Sequence, residues 1–321
     1  MEKKKRDESL DAVCGLMIVY MIYGHICLWS GIQQIEWFPR LLYFFMPWFF
    51  FKSGLFFKPR ALREELVGGA RRLLLPYVAF SLLGQLVFYV KWLWEGNTPW
   101  QNFILVPLRT LLHEGAVMGN SPLWFLLTLF LVRVIFDACF LKGRKMAGIL
   151  TLVAIIAAYI FRVVDFHTFF YVPNVCTGVF FYGCGYFLRE KVDSKYVLVI
   201  ATLLYIVYAA WFPSYYDFRS NGITVAAYPY CISACLGGII SLDWIFKQSS
   251  FLQKPFVKIG KNSMTYYAAH WIVLAVFSLL FQDMMNMKGN DLFLAFAVAN
   301  GISLPCLDFL FDKHCRWIIG K

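Results

Sequence analysis

Two histidines in apolar stretches are the residues best suited to chemistry. The first stretch, DAVCGLMIVYMIYGHICLW, carries His25 about 13 residues beyond Ala12, which is about 20 Å along a helix. A neutral imidazole at that depth can act as a general base and take a proton from a hydroxyl group. The alternative for His25 is a hydrogen bond to another helix that serves packing alone. His270 lies about two turns inside a later apolar stretch, GKNSMTYYAAHW.

Cationic residues near the edges of two apolar stretches are candidates to hold an anion. Lys52, Ser53 and Gly54 interrupt the aromatic run MPWFFFKSGLFF. Lys52 either faces an internal cavity or only extends its ammonium group to the nearest polar surface. Gly54 permits either close approach of a second helix or a turn of the backbone at a cavity wall. Arg71 and Arg72 could bind phosphate groups, or they could follow the general distribution of charge between loops.

Polar and aromatic residues also begin the stretch NSPLWFLLTLF. Asn120 and Trp124 there suit a sugar-binding lip, and they equally suit a helix cap beside an interfacial aromatic belt. Tyr266, in the stretch that carries the second histidine, is a further candidate to contact a substrate. Arg133 lies in the middle of an apolar stretch and needs an anionic partner, for which Asp137, four residues on, is the nearest candidate.

The elements that position these residues are predicted to be membrane-spanning helices. The chain of 321 residues is 60% hydrophobic and only 15% charged, too little charge to coat a soluble protein of this length. A span needs about 20 mostly apolar residues. The sequence therefore predicts an all-α bundle of about ten helices, with one short interfacial or re-entrant segment at 100–112. The predicted spans are 12–30, 38–57, 72–92, 122–141, 147–164, 169–188, 196–212, 223–246, 264–281 and 291–311.

The basic residues follow the predicted topology. Net charge is +11, and most of the 30 lysines and arginines lie in alternate loops, beginning with the run KKKR near the N-terminus. This is the positive-inside distribution, and it predicts that both termini are cytoplasmic. With this orientation His25 is expected in the outer half of the membrane and His270 near the cytoplasmic end of its span. The charge therefore indicates orientation in a membrane and not a nucleic-acid footprint. The N-terminal span is long and lacks a small-residue cleavage site, so we interpret it as a retained helix.

Several familiar sites are missing from the sequence. It contains no G-x-S-x-G elbow, HExxH, P-loop or dinucleotide fingerprint, and no two halves with matching broken helices. The nine cysteines have no metal-site spacing and are interpreted as small buried apolar residues, so no metal site is expected. We expect residues 1–321 to form a single transmembrane domain without an appended soluble domain.

Six segments resemble, in order, the acyltransferase family 3 membrane proteins, which acylate sugars of surface and exported polysaccharides. They cover nearly the whole chain, and each is short, so the resemblance depends on their order and spacing. The segments are RDESLDAVCGLMIVYMIYGH, MPWFFFKSGLFFK, GARRLLLPY, PLWFLLTLF, GVFFYGCGYFL and IGKNSMTYYAAH.

The resemblance implies an acyl-CoA donor, usually acetyl-CoA, bound from the cytoplasm as a co-substrate rather than as a resident cofactor. It implies a sugar hydroxyl as acceptor, on a polysaccharide or lipid-linked precursor, and a place in the bacterial inner membrane. His25 matches the family's essential histidine, and Asp11 matches the acidic residue that precedes it. We assign the remaining candidates to donor binding (Lys52, Ser53, Arg71 and Arg72) and to substrate binding (Asn120, Trp124, Tyr266 and His270).

One departure from the family pattern concerns the first helix. Many members carry Arg or Lys eleven residues before the histidine, where this chain has Cys14. Lys52 is predicted at a similar depth on an adjacent antiparallel helix, and we hypothesise that it replaces the missing cation. Two other classes stay open, a transporter or flippase for a glycan or small amphiphile, and an inactive membrane scaffold. A transporter should move its substrate without consuming acetyl-CoA, and a scaffold should tolerate His25→Ala.

Overall fold

The computed structural model describes residues 7–96, 99–166, 169, 171–211, 219 and 223–320. This part of the chain is 85% helix and contains no strand, which confirms the all-α prediction. Part of the predicted distribution of basic charge lies outside the described residues, namely Lys3, Lys4, Lys5, Arg6 and Lys321.

Fourteen α-helices follow one another in the described part of the chain. Short π-helical turns at Ala70–Leu74 and Leu279–Met284 extend two of them, and a 3₁₀ turn at Met118–Leu123 leads into a third. The helices are α1 Glu8–Ser30, α2 Trp37–Leu42, α3 Phe45–Leu55, α4 Leu62–Gly69, α5 Leu75–Glu95, α6 Asn102–Glu114, α7 Trp124–Phe140, α8 Arg144–Val163, α9 Tyr171–Leu188, α10 Lys195–Trp211, α11 Tyr228–Gln248, α12 Ser250–Lys261, α13 Ser263–Ser278 and α14 Gly289–His314.

Seven helical stretches among the described residues are long and apolar enough to cross a membrane. Each contains most of one predicted span, and the predicted spans 169–188 and 196–212 correspond to the shorter helices α9 and α10. The total of ten and the cytoplasmic termini stay predictions. The seven stretches are Glu8–Ser30, Leu62–Glu95, Asn102–Phe140, Arg144–Val163, Val225–Gln248, Ser263–Met284 and Gly289–His314.

The predicted span 38–57 is not one helix. Helix α2 ends at Leu42, Phe44 departs from helical backbone angles, and α3 begins at Phe45, so α2 and α3 are both short. Pro47 lies in the first turn of α3 and has no N–H to bond back to the preceding turn, which favours a new helix start at this point. The segment predicted to be interfacial forms α6, and none of its residues is buried.

Glycines let two helix pairs pack backbone against backbone. A Cβ placed on Gly54 would lie 1.9 Å from the carbonyl oxygen of Tyr182, and one on Gly185 would lie 2.1 Å from that of Phe51. The α3–α9 contact is therefore close on both sides, as the sequence predicted for Gly54. Gly15 of α1 and Gly260 of α12 meet the opposite helix in the same way. Small residues at such crossings stabilise membrane bundles because they allow extensive van der Waals contact.

Gly54→Ala is expected to lower the unfolding temperature sharply or to prevent folding. The added methyl group meets a backbone carbonyl that cannot rotate away, and overpacking of this kind costs about 1–3 kcal/mol or more. Thermal unfolding of the detergent-solubilised protein measures the effect. Gly301→Ala in α14 is the matched control, because nothing lies within 4 Å of a Cβ there. Equal unfolding temperatures for the two variants would contradict the close α3–α9 contact.

Candidate active site

The central feature of the site is a hydrogen bond between two histidines. His25 Nδ1 on α1 lies 2.8 Å from His270 Nε2 on α13. His270 is fully buried and His25 is half-buried. The indole of Trp271 meets the His25 ring edge-on, with ring centroids 5.2 Å apart. The structure thus brings together two residues to which the sequence assigned separate roles.

The predicted difference in depth between these histidines is wrong. The sequence placed His25 in the outer half of its helix and His270 near the opposite, cytoplasmic end of another. That expectation assumed that both helices begin at the same edge of the bundle. However, α13 begins beside α1 itself, since Ser263 at its start and Cys14 of α1 line one cavity. His270, two turns further along α13, lies within hydrogen-bond distance of His25.

A cavity of about 410 Å³ opens beside His25, and we call it the histidine cavity. Aromatic rings supply much of its wall, and polar side chains supply the rest. Such a mixture suits a sugar, because rings can pack against its apolar faces while polar groups bind its hydroxyls. The lining residues are Tyr20, Met21, Gly24, His25, Leu28, Gln34, Phe45, Met46, Ser121, Pro122, Trp124, Arg219, Tyr267 and Trp271.

Arg219 was not among the sequence candidates, since a basic residue between two predicted spans contributes to the sequence argument only as part of the charge distribution. Its guanidinium group lines the histidine cavity. It donates a hydrogen bond of 3.1 Å to the hydroxyl of Ser121 and forms an ion pair with Glu114. These contacts hold a cation at the same cavity wall that carries His25.

The predicted substrate-binding residues separate into two groups. Trp124 and His270 belong to the histidine cavity or its wall. Asn120 is fully buried outside this cavity, and its amide donates to the carbonyl oxygens of Ala268, at 2.9 Å, and Phe80, at 3.4 Å. It thereby ties the turn before α7 to α13 and α5. Tyr266 is also buried away from the cavity, whereas the next residue in the sequence lines it.

Tyr267 is a site residue that the sequence analysis did not single out. It lines both the histidine cavity and a neighbouring cavity. Its hydroxyl donates to the carbonyl oxygen of Pro122, and its own carbonyl oxygen lies 2.6 Å from His270 Nδ1. The sequence offered two adjacent tyrosines on an apolar helix and no periodic signal to show which of them faces inward.

A second cavity, of about 270 Å³, lies between α3, α4, α7 and α9 and is strongly basic. We call it the basic cavity. Of the predicted donor-binding residues, Lys52, Ser53 and Arg72 line it, whereas Arg71 is exposed and does not. Five cations face one carboxylate, so the cavity has an excess of positive charge. Its lining residues are Lys52, Ser53, Phe56, Phe57, Lys58, Arg60, Glu65, Arg72, Arg133 and Tyr182.

The predicted ion pair between Arg133 and Asp137 is wrong. Arg133 Nε lies 2.7 Å from the carboxylate of Glu65 on α4. The carboxylate of Asp137 is buried and accepts a hydrogen bond of 3.3 Å from the backbone N–H of Arg60. The loop before α4 and the start of that helix supply nearer partners to both residues, which a reading along α7 alone could not show.

Lys52 joins the basic cavity to the start of α1. Its ammonium group donates a hydrogen bond of 3.1 Å to the carbonyl oxygen of Leu10 and lies 3.8 Å from the carboxylate of Asp11. Asp11 is therefore an ion-pair partner of Lys52, about 21 Å along α1 from His25. At that distance it has no contact with the histidine pair.

A third cavity, of about 200 Å³, lies between the other two and adjoins both. We call it the apolar cavity. It shares Lys52 and Ser53 with the basic cavity, and Met46 and Tyr267 with the histidine cavity. Cys14 and Lys52 both line it, so the two side chains lie close together, and their equal depth in a membrane stays a prediction. The remaining lining residues are Ile18, Phe49, Leu73, Phe125, Leu126, Leu129, Ser263 and Met264.

The three adjoining cavities form a row within the bundle, which we call the tract, basic at the end where α1 begins and aromatic where the histidines meet. Together with the seven helical stretches of membrane-spanning length, they define a multi-pass integral membrane protein with an internal site. Residues 7–306 match the family model described as an acyltransferase domain. The chain therefore belongs to acyltransferase family 3, as the six segments predicted, and is a membrane acyltransferase. No curated protein and no solved structure matches it.

Proposed function

We propose that the protein transfers an acyl group, acetyl in the simplest case, from acyl-CoA to a sugar hydroxyl of a surface glycan, polysaccharide or lipid-linked precursor. The observation that carries this proposal is the tract. It offers a basic site for an anionic donor and an aromatic site for an acceptor, with a histidine where the two would meet. Transfer through such a tract lets a donor that cannot cross lipid react with an acceptor held deep in the bundle.

The donor end is proposed to be the basic cavity. Coenzyme A carries several phosphate charges, and arginine and lysine bind phosphate through charge-assisted hydrogen bonds. Arg72, Lys58 and Arg60 line this cavity, and we assign them to the nucleotide part of the donor. The pantetheine arm would then pass Lys52 and Ser53 into the apolar cavity. Lys52 takes the place of the cation that many family members carry at the position of Cys14.

The acceptor end is proposed to be the histidine cavity. Trp124 and Trp271 offer ring faces to a sugar, and Gln34 and Ser121 offer groups that can bind its hydroxyls. Arg219 gives this cavity a cation that could bind an acidic substituent or stabilise negative charge that develops during reaction.

Direct attack is the simplest chemistry for this arrangement. The sugar hydroxyl oxygen bonds to the thioester carbonyl carbon while His25 takes the hydroxyl proton. The tetrahedral intermediate then collapses, the carbon–sulfur bond breaks, and the CoA thiolate leaves. The proton on His25 returns to this thiolate, so the products are a sugar ester and free CoA thiol, and the histidine ends neutral.

The orientation proposed for the tract follows from the charge of the loops. The basic cavity lies at the end where α1 begins, and the positive-inside rule places that end in the cytoplasm. Acyl-CoA would therefore enter from the cytoplasm and the sugar from the opposite side of a bacterial inner membrane.

Sided membrane vesicles test this function. Inverted vesicles that contain the protein and its native glycan are expected to incorporate label from external labelled acetyl-CoA and to release CoA thiol in equal amounts. Right-side-out vesicles should not, because CoA cannot cross lipid. Vesicles without the protein are the control. Glycan movement without acyl-CoA consumption would favour the transporter, and the absence of thiol release with every acyl-CoA tried would overturn the proposal.

A further inference from the structure

The bond between the two histidines lies in the planes of both rings. The rings are within 7° of parallel and their centroids are 5.0 Å apart. That separation is close to the largest that a nitrogen–nitrogen distance of 2.8 Å allows, so one ring points its nitrogen directly at the other. Such alignment is typical of a strong hydrogen bond and not of rings that stack face to face.

The direction of this bond follows from the partner on the far side of His270. The carbonyl oxygen of Tyr267, 2.6 Å from His270 Nδ1, can only accept a hydrogen bond, so His270 Nδ1 must carry the proton. In a neutral imidazole the other nitrogen is then an acceptor. His270 Nε2 therefore accepts from His25 Nδ1, which leaves His25 Nε2 unprotonated. Neutral rings are favoured here because His270 is fully buried and a buried charge without a carboxylate partner is costly.

The chain holds this arrangement rigidly. The Tyr267 hydroxyl donates to the carbonyl oxygen of Pro122, which fixes the turn of α13 that also supplies the carbonyl to His270. The Asn120 amide donates to the carbonyl oxygen of Ala268 on the same turn. Trp271 packs edge-on against the His25 ring. Neither ring can turn without breaking one of these contacts.

We propose that His270 is a positioning residue, and that it fixes His25 as the tautomer whose Nε2 accepts the hydroxyl proton. This inference rests on the proposed function and adds the contact that keeps His25 in the form able to act as the base. The role resembles that of the aspartate in a Ser-His-Asp triad, which holds the histidine tautomer and orientation. Here the acceptor is a neutral imidazole, which suits a buried position that lacks water to solvate a carboxylate.

His270→Phe and His270→Gln separate this role from packing. Phenylalanine fills the space but accepts no hydrogen bond, so we expect kcat to fall about 10²–10⁴-fold while KM for acetyl-CoA stays unchanged. The glutamine side-chain oxygen can still accept from His25 Nδ1, and this variant is expected to keep activity within about tenfold of wild type. Wild-type kcat in a folded His270→Phe protein, or no better activity in the glutamine variant, would overturn the proposal.

A spectroscopic measurement does not depend on the reaction. In protein labelled with ¹⁵N-histidine, the His25 signal, identified by its loss in His25→Asn, should report a proton on Nδ1 in the wild type. The proton should move wholly or partly to Nε2 in His270→Phe. A wild-type Nε2–H tautomer would refute the proposed dyad even if acyl transfer is found. Conversely, a protein that fails to use acyl-CoA but shows the Nδ1–H tautomer would refute the proposed function and leave the histidine geometry confirmed.

Discussion

His25→Asn is expected to abolish acyl transfer, with kcat lower by about 10²–10⁴-fold, the usual contribution of a general base. Asparagine can still donate an amide N–H toward His270 Nε2, so the buried acceptor keeps a partner, but it cannot take up a proton from the sugar hydroxyl. The measurement is the release of CoA thiol and the labelling of glycan in membranes that contain equal amounts of folded protein.

Two further variants make this result specific. His314→Ala removes an exposed histidine at the end of α14 and should leave both rates unchanged. His25→Ala also leaves His270 Nε2 without its partner, and a buried unsatisfied group costs about 1–3 kcal/mol, so this variant should be less stable than His25→Asn. Full transfer by the asparagine variant would show that another group is the base.

Most of the fold could be predicted from composition because lipid imposes a simple rule. A chain with so few charges must satisfy its backbone within helices, and their length is fixed by the bilayer. The break after Leu42 was harder to predict, since an unbroken aromatic run gives no sign of where a helix stops and restarts. Pro47 is a signal in this run, but proline is tolerated in membrane helices and so does not by itself mark a break.

The candidate site was only partly predictable. His25 and Lys52 stand out because ionisable groups at membrane depth are costly. The histidine pair could not be predicted, since its members are 245 positions apart and α1 and α13 are apolar on all sides. The partner of Arg133 was missed for a similar reason. Glu65 lies in a separate short helix, and a single sequence shows no pairing between helices.

Removal of the Lys52 charge is expected to have the next largest effect, on donor binding. In Lys52→Met the unbranched methionine side chain takes the place of the methylene stem of lysine, and only the cation is lost. KM for acetyl-CoA should therefore rise about tenfold to a hundredfold. A hydrogen bond to a charged group contributes about 1.5–3 kcal/mol, and about 1.4 kcal/mol corresponds to tenfold. The measurement is initial rate against acetyl-CoA concentration in inverted vesicles.

The ion pair with Asp11 complicates this variant and also provides its control. Asp11 is buried, and loss of Lys52 leaves its carboxylate without the nearby ammonium group, which destabilises the fold. Lys52→Met combined with Asp11→Asn removes both charges and should restore stability while KM stays high. Arg71→Gln removes an exposed cation outside the basic cavity and should leave KM unchanged. If the double variant instead binds acetyl-CoA as tightly as Asp11→Asn alone, Lys52 serves the start of α1 and not the donor.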